Sequence, residues 1–249
     1  MVDVQIKSDW VKVPNQDLLI SAYLSQPMGV GPFPAVIVFQ EIFGVNAHIR
    51  EVTDKIAKMG YVAIAPALYQ RTAPDFEVGY TDEDLKVGRE YKEQTKASEL
   101  LSDTQATVEY LKTLPSVKKD GVGCIGFCFG GHVAYLAATL SEIQATASFY
   151  GAGIVNWCPG ESEPTLTRTG EISGTIYLFF GTEDPLIPND QPDRIEAELN
   201  KQGIRHRVFR YEGATHGFIC DQRESYNPEA AADAWTQVDR LFAETLKSG

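Results

Sequence analysis

The stretch Gly126-Phe127-Cys128-Phe129-Gly130-Gly131 sets one cysteine among three glycines. An apolar run, Val122 to Ile125, precedes it, and a helix-like run, His132 to Leu140, follows. A strand, a glycine-flanked turn and a helix form the setting in which a sharp turn lifts a nucleophile clear of a sheet. Small neighbours are needed because the backbone there is strained. A free cysteine is more often a small buried hydrophobe, and that is the reading for Cys124. Cys128 is read as the nucleophile.

A thiol needs help at neutral pH, because only a few per cent of it is thiolate. Two further residues follow strand-like runs: Asp184 in Gly181-Thr182-Glu183-Asp184-Pro185, and His216 in Gly213-Ala214-Thr215-His216-Gly217. Nucleophile, acid, histidine is the chain order of the α/β-hydrolases. The imidazole can take the thiol proton, while the acid holds the ring in one tautomer and stabilises its charged form. Asp184 as a plain turn residue and His216 as a loop histidine are the competing readings. His48, His132 and His206 sit within predicted elements, so His216 is the best general base. Glu41 follows a wholly apolar strand. It is either a carboxylate near the thiol or a partner for Arg50. The backbone N–H groups of Phe129 and Ile42 are the expected oxyanion donors.

These positions require a sheet whose strand ends converge. Residues 2–13 and 18–24 read as an antiparallel pair about a turn at 14–17. Ala35 to Phe39 reads as a strand buried on both faces. A helix from Asn46 to about Met59 follows, then a strand from Tyr61 to Ala67. Residues 70–96 are polar and read as a surface excursion with a short helix: a cap over a site, or a plain solvated connection. Glu99–Leu114 is helical by period. After the Cys128 turn come a strand at Ala145–Tyr150, a loop at 153–174 and a strand at Thr175–Phe180. A helix at Gln191–Gln202, a strand at Arg207–Tyr211 and a helix at Pro228–Leu246 complete the chain. Strands alternating with helices predict a mostly parallel open sheet flanked by helices on both faces, within a single α/β-hydrolase domain over residues 1–249. Sites in such sheets gather at strand C-terminal ends.

The net charge of -12 argues against a nucleic-acid partner. An acidic substrate would need a local positive clamp. No stretch approaches the ~18 apolar residues of a membrane span. Met1 to Trp10 lacks the charged and apolar regions of a signal peptide. Four cysteines are no disulfide framework, and no spacing completes a zinc site. A reducing cytoplasm is the expected compartment.

The sequence resembles the dienelactone hydrolase (carboxymethylenebutenolidase-like) family over nearly its whole length. The resemblance rests on Gln40-Glu41-Ile42-Phe43-Gly44-Val45-Asn46, the Cys128 turn, the Asp184 loop and Thr215-His216-Gly217-Phe218, with Pro66-Ala67-Leu68-Tyr69 also similar. It implies a cysteine hydrolase that opens a small unsaturated lactone through an acyl-enzyme, with no metal or organic cofactor. It also implies that Glu41 deprotonates the cysteine once substrate displaces it. Family members acting on dienelactone hold its carboxylate with two arginines. Arg89 or Arg71 matches the first. The second position is Cys220 here, with Arg223 nearby. Other small esters are the alternative substrates, and a non-catalytic ligand-binding protein is the alternative role.

Overall fold

The computed structural model describes residues 4–247, so the expectation for Val2 lies outside the described residues. Strands β1 (Ile6–Asn15) and β2 (Leu18–Pro27) form the expected antiparallel hairpin. β3 (Phe33–Phe39) leads through a turn to α1 (Ala47–Lys58), and β4 (Val62–Pro66) follows. Asn46 caps α1, its side chain accepting a bond from the Ile49 N–H at 3.2 Å, which satisfies one of the helix's orphan donors. The polar excursion contains α2 (Asp82–Glu93), and α3 (Ala97–Thr113) comes next. β5 (Val117–Phe127), α4 (Phe129–Ala137), β6 (Ile143–Phe149), β7 (Thr175–Gly181), α5 (Asp190–Lys201), β8 (His206–Tyr211) and α6 (Pro228–Phe242) complete the order.

All eight strands join one sheet in the order β1-β2-β4-β3-β5-β6-β7-β8. β2 meets β4 antiparallel, and every pair from β4 to β8 is parallel. The C-terminal ends of β3, β5, β6, β7 and β8 therefore lie along one edge. Along β3, Val36 and Val38 pack with residues of α1 and α6. Ala35, Ile37 and Phe39 pack with α3 and most of α4. Side chains alternate faces along a strand, so helices cover both faces of the sheet. That is why β3 has to be apolar throughout.

Three segments differ from expectation. Residues 165–171 form a short 3-10 helix inside the expected 153–174 loop. Two side-chain bonds tie it to α4: His132 Nε2 to Thr165 Oγ1 at 2.7 Å, and Tyr135 to Thr169 at 2.6 Å. α6 passes at Ala243 into a π-helical turn rather than running on as α-helix to Leu246.

The excursion at 70–96 is anchored rather than solvated. The Val78 N–H donates to the Phe43 carbonyl at 3.0 Å. Tyr80 packs edge-on against Phe43, with ring centroids 4.9 Å apart. Gly88 lies so close to the turn after β3 that a Cβ there would stand 2.5 Å from the Ile42 oxygen. Gly88→Ala is therefore expected to push α2 off this turn. Faster amide exchange in residues 76–93 than in wild type, with the sheet unchanged, would register the shift; equal exchange would contradict it.

Candidate active site

Cys128 heads α4 with φ +56° and ψ -117°. This left-handed conformation costs a non-glycine residue about 1–3 kcal/mol. Close packing of the turn over-determines it. A Cβ at Gly126 would sit 1.9 Å from the Gly130 oxygen, and one at Gly130 would sit 2.3 Å from the Phe39 oxygen. Cys128 is half-buried, whereas Cys124 has no exposure at all. Burial pushes the Cys124 thiol up to about 12, and its sulfur lies 3.5 Å from Thr146 Oγ1. The two cysteines thus occupy opposite environments four residues apart.

Asp184 follows β7, and His216 lies in the loop after β8. Asp184 is anchored by the Leu186 N–H, which donates to Oδ1 at 2.8 Å. Its Oδ2 accepts from His216 Nδ1 at 2.7 Å. Its Nε2 is buried and without a hydrogen bond in this arrangement. Burial alone would lower the His216 pKa, but the neighbouring Cys128 sulfur, once ionised, and the bond to Asp184 outweigh it and raise it to about 10. The other histidines have different roles. His132 donates or accepts at both ring nitrogens, to Ala152 O and Thr165 Oγ1, and burial lowers its pKa to about 4. His206 bonds to the Ile204 carbonyl.

Glu41 is 1% exposed. One of its oxygens meets Arg223 Nη1 at 3.2 Å, and the other is buried without a partner. The pairing with Arg50 does not occur, because the Arg50 guanidinium bonds Glu77 and the Val45 carbonyl instead. Arg223 also lies over Tyr80 and Phe43, 5.4 and 5.9 Å from their ring centroids. Ile42 belongs to the turn that the Cys128 turn packs against. Phe129 opens α4, so its N–H is one of the helix's unpaired donors.

The arginines part company. Arg223 reaches the site through Glu41. Arg71 does not, because it forms an ion pair with Asp103 of α3. Arg89 is exposed on α2 with no ion pair among the described residues. Cys220 is buried, its thiol 3.4 Å from the Tyr80 hydroxyl. A cleft of about 620 Å³ between Trp10, Lys12 and Phe76 holds none of these groups.

Sequence reasoning missed Tyr150. It follows β6 with φ +36°, its ring 5.0 Å from that of His216. Its hydroxyl is buried without a partner. Its position at a strand end on the site's edge was the available signal.

A mostly parallel sheet with these residues at its strand ends defines an α/β-hydrolase fold. The dienelactone hydrolase family profile matches residues 20–246, and the chain belongs to that family of ester and lactone hydrolases. A Synechocystis sp. protein named "Putative carboxymethylenebutenolidase" is 58% identical over 98% of this chain and 99% of its own. A Bradyrhizobium sp. protein named "Probable 2-oxo-3-(5-oxofuran-2-ylidene)propanoate lactonase" is 30% identical over 96% of this chain and 94% of its own. The crystal structure titled "Putative Dienelactone Hydrolase" from Klebsiella pneumoniae superposes with a TM-score of 0.87 at 27% identity, covering 96% of this chain and 99% of that one. Among the described residues, no helix is long and apolar enough to cross a membrane.

A histidine whose folded pKa exceeds its usual 6.5 adds stability that is fully present below 6.5 and lost as pH rises through about 10. Cys128→Ala removes the largest raising influence. The His216 imidazole is then expected to titrate at a lower pH than in wild type, as followed by NMR. An unchanged titration would mean that the sulfur and ring do not interact.

Proposed function

We propose that the protein opens a small unsaturated lactone through a thioester on Cys128, with His216 and Asp184 completing a triad. The observation that carries this reading is the strained turn at Cys128 beside the His216–Asp184 pair. The names of the Synechocystis and Bradyrhizobium relatives support a lactone as substrate.

In this reading Glu41 starts the reaction. A substrate carboxylate competes for the Arg223 guanidinium and releases Glu41, whose freed oxygen takes the Cys128 proton. Arg223 supplies the local positive charge that an acidic substrate needs against the net charge of -12. The thiolate attacks the lactone carbonyl, and the Ile42 and Phe129 N–H groups hold the oxyanion. Collapse breaks the ring C–O bond, and the leaving enolate oxygen takes the proton that Glu41 carries, which restores the Glu41 carboxylate. With the sulfur acylated and uncharged, His216 draws a proton from water, the hydroxide adds to the thioester carbonyl, the C–S bond breaks and His216 returns the proton to the departing thiolate as the carboxylic acid is freed.

Small neutral esters are a second substrate class. The ion pair of Arg71 with Asp103 and the cysteine at position 220 favour it, since both remove positive charge from a carboxylate clamp.

Cys128→Ala is expected to lower turnover of both p-nitrophenyl acetate and a dienelactone by at least a thousandfold. Mass spectrometry of quenched wild type should find an acyl adduct on the peptide bearing Cys128. Retained activity on both substrates would reject the nucleophile. Glu41→Gln is expected to slow single-turnover acylation by the lactone about 100-fold and to affect p-nitrophenyl acetate, which has no carboxylate, much less. Equal loss on both substrates would remove the substrate-triggered role of Arg223.

A further inference from the structure

α1, the segment after β8 and the start of α6 enclose a cleft of about 250 Å³. His48 and Glu51 lie one turn apart on α1, three residues being the spacing that puts two side chains on one helix face. Asp221 faces them from the other wall. One ring nitrogen of His48 and one carboxylate oxygen each from Glu51 and Asp221 all lie within 4.8 Å of one another. Ligands at about 2.1 Å from a cation stand about 3.0–3.4 Å apart, so small side-chain movements would close the set.

A second observation points the same way. His48 is only 4% exposed, packed edge-on against Phe127, yet its Nε2 has no hydrogen-bond partner. A buried, unpartnered imidazole nitrogen costs free energy, and a ligand in this cleft would recover it. Glu51 is already oriented, because Gln222 Nε2 donates to its Oε2 at 3.0 Å. Lys55 opposes a cation from the same cleft. Its ammonium is held over the Trp235 ring, 3.8 Å from the centroid, and an incoming ion would take over its share of the Asp221 charge.

We propose that His48, Glu51 and Asp221 form a binding site for a divalent first-row transition cation, separate from the Cys128 centre. One imidazole and two carboxylates suit zinc, nickel, cobalt or manganese, and their two negative charges balance the ion. Such an ion bridges α1 to the loop that carries both His216 and Arg223. Arg223 is two residues beyond Asp221, so the bound ion steadies the arm that holds Glu41.

The test uses the full chain with Cys128 replaced by alanine, so that the active-site sulfur cannot compete for metal, after dialysis against EDTA. Cobalt(II) chloride is titrated in, followed by visible absorption and calorimetry. One saturable equivalent is expected, with d–d bands and no sulfur-to-metal charge-transfer band. Glu51→Gln and Asp221→Asn, both at exposed positions that leave the core untouched, should each weaken binding at least tenfold. His48→Gln should abolish it, with circular dichroism to report its folding; if that variant does not fold, the two exposed substitutions decide. Absence of saturable binding, a thiolate band, or affinity unchanged in Glu51→Gln and Asp221→Asn overturns the site.

Discussion

The structure depends on a backbone that cannot relax. Cys128 is held in a left-handed conformation because Gly126 before it is wedged against the Gly130 carbonyl, and Gly130 after it against the carbonyls at the end of β3. Nothing larger than hydrogen fits at Gly126 or Gly130, so the turn has one shape. That shape aims the sulfur off the end of β5 and leaves the first N–H of α4 unpaired beside it. The parallel pairing of β3, β5, β6, β7 and β8 then brings residues from five strand ends to the same edge.

Around this fixed point the charges are arranged in two pairs. His216 and Asp184 form one, built at the ends of two adjacent strands. Glu41 and Arg223 form the other. Burying a carboxylate as deeply as Glu41 is costly unless a cation attends it, and Arg223 supplies that attendance with one bond rather than two. The second oxygen remains unsatisfied. A charge held by a single long contact is easier to dislodge than one held by a forked pair, and that suits the release of Glu41 proposed above.

Much of this was legible in the sequence because the signals were local. Glycines around one cysteine, an apolar run ending in a polar residue, and a Gly-flanked histidine each announce a strand end within a few residues. The element order and the sheet followed from alternating periodicities. The Glu41–Arg223 pair was not legible, because its members are 182 residues apart. An arginine on the next helix, Arg50, looked the nearer partner. Arg71 misled for the same reason: its acid, Asp103, sits 32 residues away on α3. The 3-10 helix at 165–171 carries no apolar period, and its bonds run from threonine hydroxyls to side chains of α4. Such contacts appear only once the chain is folded.

The anchored excursion that carries α2 contributes no strand to the sheet. It touches the turn after β3 through a backbone bond, aromatic edges and one close glycine contact. The flap and the turn that carries Glu41 and Ile42 are thus mechanically coupled, and what disturbs one is felt by the other.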